Sequence, residues 1–136
     1  MDGSHLEKAE LNNVKLQGAS LKGTHLEISC LCDANMENCD LIDSYLEGAD
    51  LSNANLKNAD LYNSNLQNST IGNANFQGAK LVDANLTGLD LSGLKNTTEE
   101  QLGEAVVQLD IESRMLTYVK DLNTNESEAT CIQLKA

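Results

Sequence analysis

The side chains best suited to metal binding or nucleophilic chemistry are two histidines and four cysteines: His5, His25, Cys30, Cys32, Cys39 and Cys131. Cys30-Leu31-Cys32 is not the C-x-x-C spacing of zinc or thioredoxin-like sites, and no paired ligand pattern follows it. The thiols are therefore expected to be reduced and unligated. A Ser or Cys nucleophile needs a His within hydrogen-bond reach, and the spacing supplies none. The glycines are scattered and form no phosphate-binding loop. No catalytic residue, no cofactor and no metal site is expected, and the protein is expected not to be an enzyme.

What positions these residues is a unit of five. Residues 49–68 read Ala-Asp-Leu-Ser-Asn, Ala-Asn-Leu-Lys-Asn, Ala-Asp-Leu-Tyr-Asn, Ser-Asn-Leu-Gln-Asn. Stepping from Leu51 by five in both directions, the central position is Leu in fifteen of eighteen units, the others being Met36, Ile71 and Phe76. Two residues earlier sits a small or short side chain in seventeen units, and only Leu89 departs. Side chains two apart on extended backbone share a face, so the small residue and the Leu both point inward while the other three turn a corner. Gly18, Gly23, Gly48 and Gly78 fall at those corners, where a turn favours positive φ. A unit this small cannot bury its own apolar side, so the fold must be a stack. The 3% aromatic content suits a core of Leu and Ala.

A second period of twenty says how many sides close a coil. His5-Leu6-Glu7 returns as His25-Leu26-Glu27 and then as Tyr45-Leu46-Glu47; Asp40 returns as Asp60. On this A(D/N)LXX pattern the chain resembles the pentapeptide repeat family. The resemblance implies an all-β solenoid, a right-handed quadrilateral parallel β-helix of about 4.5 coils, spanning residues 4–93. At ~4.8 Å per coil it would stand ~22 Å tall. Its open end needs a cover. Thr98-Glu99-Glu100-Gln101 has the form of a capping box, and Leu102, Ala105, Val106 and Leu109 share one helical face, which predicts a C-terminal capping α-helix over 99–109 within a segment 94–110. The tail, 111–136, holds two β-rich runs around Asn123-Thr124-Asn125 and fits either a hairpin or a disordered extension.

The columns define faces. His5, His25 and Tyr45 are expected to form a flat ring ladder, with a metal role as the minor alternative, and Glu7, Glu27 and Glu47 an acidic stripe beside it. Cys30 and Cys32 belong to the next side. Ile42, Tyr62 and Val82 form an outward apolar column with Asp40 and Asp60 next to it, which makes these five residues the candidate interaction surface. The side through Asn35, Asn55 and Asn75 is polar and nearly neutral.

A net charge of −12 argues against direct nucleic-acid binding and against membranes, and would attract a basic protein partner. No apolar stretch reaches membrane-spanning length and no leader precedes the repeats, so a cytoplasmic location is expected. The reading that fits is a non-enzymatic protein-protein interaction scaffold with flat, acidic faces; an end-to-end homodimer would cover a solenoid end. The family resemblance implies an alternative, a DNA mimic that binds DNA gyrase or topoisomerase IV in quinolone protection. Thirteen Asp and Glu against five Lys over residues 1–93 give −8, or one charge per ~2.7 Å against ~1.7 Å in DNA. The ~22 Å height, about six base pairs, counts against it.

Overall fold

The computed structural model describes residues 1–94 and 96–105, and the backbone of 118–120 and 129–131. Thirteen parallel bridges join each residue n to n+20, from His5↔His25 to Asn65↔Asn85, so the chain closes a four-sided coil every twenty residues. Each side contributes a single bridged residue rather than a long strand, because a turn follows every Leu.

Most amides of the unit have a recurring task, and this explains the five-residue pattern. In the second unit the Leu11 amide donates to the Cys30 carbonyl and the Asn13 amide to Cys32, both one coil on, while Val14 closes the turn by donating to Leu11. The residue before each Leu binds the coil below it, as Cys30 N–H does to Ala9. That leaves the residue after the Leu. Where Asp or Asn stands two residues earlier, its side chain takes that amide: Asp50 for Ser52, Asn55 for Lys57, Asn65 for Gln67, Asn75 for Gln77, Asn85 for Thr87; Lys22 and Cys32 instead donate to Asp2 and Asn12 one coil earlier. An unpaired backbone donor is costly, so the repeat's Asp or Asn completes the backbone's hydrogen bonding.

The corner residue is left-handed. All eighteen positions from 3 to 88 in steps of five have positive φ, six of them Gly and most of the rest Asn or Asp. A turn with φ > 0 at its third residue selects those types. At Gly78 there is a second reason, since a Cβ would collide with the Asn58 side chain one coil earlier.

Inside, the central side chains from Leu21 to Leu86 are sealed, Phe76 and Met36 included, with Ala, Ser, Thr and Cys between them. Leu6, Leu11 and Leu16 of the first coil are only half-buried. Two of the small-residue slots turn a hydroxyl back on the backbone, Ser29 Oγ donating to Leu26 and Ser64 Oγ to Leu61, each at 2.7 Å, whereas Ser44 Oγ and Ser69 Oγ are buried without a partner.

The last unit does not follow the coil. Past Gly88 the bridges stop and Leu91–Gly93 forms a 3-10 turn capped by Asp90, whose carboxylate accepts the Ser92 amide at 3.0 Å. The change begins at Leu89, the one large residue in a small-residue slot. Helix α1 follows at Glu99–Gly103, five of the eleven residues expected, with both capping-box bonds between Thr98 and Gln101. It ends where Gly103 weakens it and where the Glu104 carbonyl accepts the Asp83 amide at 2.9 Å. Leu102 is buried and Ala105 packs against the core, while Val106 and Leu109 lie outside the described residues. In the tail, β1 (Tyr118–Lys120) pairs antiparallel with β2 (Ala129–Cys131); the expected Asn123 to Asn125 turn lies outside the described residues.

Candidate functional site

Two outward faces carry the residues the sequence singles out. On the first, His5, His25 and Tyr45 precede inward Leu residues and stack: the His5 and His25 rings are 4.8 Å apart and 11° from parallel, His25 and Tyr45 4.4 Å and 8°. Glu7 and Glu27 stand two residues further on, on the same side of the chain, and bind those rings. His5 Nδ1 lies 2.8 Å from Glu7 Oε1 and His25 Nδ1 3.0 Å from Glu27 Oε1; Glu47 accepts instead from the Asn65 amide. The Glu27 hydrogen bond raises the His25 pKa, and the His5 hydrogen bond lowers that of Glu7. The stripe of like charges expected from Glu7, Glu27 and Glu47 is thus partly compensated by its neighbours.

The opposite arrangement occupies the second face. Ile42 and Val82 are half-buried and Tyr62 is 45% exposed between them. Asp40 and Asp60 are engaged rather than free. Asp40 accepts the Ile42 amide and pairs with Lys22 at 3.0 Å; Asp60 accepts the Tyr62 amide and pairs with Lys80 at 3.1 Å. The apolar column therefore stands on backbone fixed by two aspartates and is rimmed by two ion pairs.

The repeat matches the family model for pentapeptide repeats in eight copies, over residues 1–27, 29–68 and 59–93. The chain belongs to the pentapeptide repeat family. Its fold is accordingly the quadrilateral β-helix of that family. Among solved structures, this pentapeptide repeat protein is similar to one from the cyanobacterium Cyanothece 51142, at 26% identity over 79% of this chain and 86% of that one, with a TM-score of 0.62. Another, from Nostoc PCC 7120, is 31% identical over 76% and 84%, with a TM-score of 0.36. The plasmid-mediated fluoroquinolone resistance protein QnrB1 is 12% identical over 84% and 64%, with a TM-score of 0.38. No curated protein matches the sequence.

One feature of this pentapeptide repeat protein escaped the sequence reading. Ile28 is a β-branched residue at a left-handed corner, φ 59°, and is 60% exposed, the most exposed large apolar side chain described. Its signal was present, since Gly, Asn or Asp occupies nearly every equivalent position. Cys30 and Cys32 share a face and have raised pKa values, chiefly through desolvation and then through Glu10 for Cys30 and Asp50 for Cys32. Cys39 is buried and donates Sγ–H to the Leu16 carbonyl at 2.7 Å. Protonated thiols are poor nucleophiles. No helix among the described residues is long and apolar enough to cross a membrane.

Proposed function

We propose that this protein is a non-enzymatic interaction scaffold that docks a protein partner on the face of Ile42, Tyr62 and Val82. The observation that carries the reading is Tyr62, an exposed aromatic between two aliphatic neighbours, edged by Lys22–Asp40 and Lys80–Asp60. An apolar centre containing an aromatic, inside a polar rim, is the usual anatomy of a protein interface. The solenoid supports it by holding those side chains on a ladder whose period the core dictates. A basic partner would be steered by the overall acidity, with the Glu7, Glu27 and Glu47 stripe modulating the approach. The DNA-mimic alternative gains less from the geometry, because Asp40, Asp60, Glu7 and Glu27 each have a basic or imidazole neighbour within 3.1 Å. A cytoplasmic setting belongs to the same proposal: half-exposed free Cys30 and Cys32 suit a reducing compartment.

The C-terminal segment acts in this reading as the cap. Gln101 donates its side-chain amide to the carbonyls of Phe76 and Ala79 at 3.1 and 2.7 Å, standing in for the missing next coil, and Leu102 covers the core. Removing residues 99–136 should give aggregates or end-to-end oligomers by light scattering; an equally stable, monodisperse truncation would remove the capping role.

The docking reading is tested on the affinity for a partner recovered from lysate, or on the self-association constant, across a salt series. Tyr62→Asp should weaken binding at least tenfold at every ionic strength, because apolar burial is little screened. Glu27→Lys should act mainly at low salt. Normal binding by Tyr62→Asp would shift the role to the acidic stripe and raise the DNA-mimic reading with it.

A further inference from the structure

The ring face contains the same three-residue unit twice, one coil apart: His5-Leu6-Glu7 and His25-Leu26-Glu27. The intervening Leu points inward in both, so each unit sends an imidazole and a carboxylate out on one side. One ligand atom from each of His5, Glu7 and His25 lies within 4.8 Å of the others, and the Nδ1 atoms are the nitrogens that face the carboxylates. Glu27 stands beside His25, outside that trio. Its Oε1 accepts from His25, while its Oε2 is buried and has no hydrogen-bond partner, as is the Oε2 of Glu47 one coil on. A sealed carboxylate oxygen without a donor is an unfavourable arrangement unless something else satisfies it.

We propose that His5, Glu7 and His25, completed by Glu27, bind one divalent transition-metal ion of the zinc class. Two imidazoles and two carboxylates form a donor set that suits Zn²⁺, Ni²⁺ or Cu²⁺ and is softer than the all-oxygen sets of Mg²⁺ and Ca²⁺. The backbone supplies the preorganisation, since the bridge His5↔His25 fixes the coil-to-coil separation before any ion arrives. Closing the site requires ligand atoms about 3.3 Å apart around an ion held by bonds of about 2.0–2.2 Å. Side-chain rotation alone can supply the difference. The His5 side chain is 72% exposed and free to swing off the stack, whereas Tyr45, against the other face of His25, holds that ring in place. Binding places the Nδ1 lone pair of each ring on the metal and leaves the ring proton on Nε2, so a ring that starts as imidazolium releases one proton to solvent and a neutral ring releases none. The third copy, Tyr45-Leu46-Glu47, has lost the imidazole, so the site ends after two coils.

The test is calorimetric titration of the untagged full-length protein with zinc chloride, repeated on His5→Ala, His25→Ala and a Cys30→Ser/Cys32→Ser double variant, with the melting temperature read with and without metal. His5 and His25 lie on the surface and nothing in the coil's interior depends on them. The expected result is one ion per chain, at least tenfold weaker binding in either histidine variant, an unchanged affinity in the double cysteine variant, and a zinc-dependent rise in melting temperature that the histidine variants lack. Absence of binding would overturn the proposal. So would loss of binding in the cysteine variant alone, which would assign the metal to the thiols, or equal displacement of zinc by magnesium, which would reduce the site to a screened acidic surface.

Discussion

Leu56 and Lys57 are neighbours in the chain, yet one lies in the sealed interior of the coil and the other on an outer face, its amide held by the Asn55 side chain. Inward columns are nearly uniform: a Leu-type residue and a small residue, with a short hydroxyl in some of the small slots. Outward columns carry stacked rings and carboxylates on one side, thiols on the next, amides on a third and an apolar column on the fourth. Close packing permits little variation where twenty-residue neighbours stack on one another inside the coil, whereas solvent tolerates any side chain that leaves the backbone bonds intact. The difference places stability inside and leaves the outside free to vary.

The contrast is broken most severely at the interior. Leu56→Ala should leave a cavity the rigid coil cannot close and cost roughly 2–5 kcal/mol by denaturant titration. If Leu56→Ala and Lys57→Ala shifted the midpoint equally, the inward-outward register would be wrong. A smaller loss is expected where an outward side chain serves the backbone. Asn75 accepts the Gln77 amide at 3.0 Å and donates to Asn55 at 3.4 Å, so Asn75→Ala should cost about 1 kcal/mol; no change would mean that solvent replaces the side chain freely. At the corner the sign reverses. Ile28→Asn places a residue tolerant of left-handed backbone where a β-branched one now sits, and should stabilise the protein by roughly 0.5–1 kcal/mol in the same titration, against which a destabilisation would show that the Ile28 contact with its neighbours outweighs its backbone strain. Smallest of all, Lys57→Ala should stay within about 0.5 kcal/mol.

The two candidate faces repeat the comparison at finer scale. Their backbones are equivalent, and both begin from a residue just before an inward Leu. On one, Asp40 and Asp60 bind the amides of Ile42 and Tyr62 and leave the following side chains free to present an apolar surface. On the other, His5 and His25 turn Nδ1 to Glu7 and Glu27 instead. Exchanging one residue type at the bridged position therefore converts a passive support into an array of ligands.

The amino-acid sequence by itself determined the coil: the five-residue period fixed which side chains face inward, the twenty-residue period fixed which residues stack, and Gly, Asn and Asp marked the corners. These follow from local geometry and burial, which act at every repeat alike. It also announced the capping box of Thr98 and Gln101. Only the tertiary structure decided which surface groups meet. Lys22 reaches Asp40 diagonally, eighteen residues on, while Lys80 reaches back twenty to Asp60, and no period distinguishes those choices because exposed side chains select partners by rotamer and local competition. The same holds for where the coil ends. Leu89 signals a departure, but that the Gln101 side chain and the Glu104 carbonyl then take over bonds a further coil would have made depends on how the chain returns across the last turn, a long-range contact that the repeat pattern does not encode.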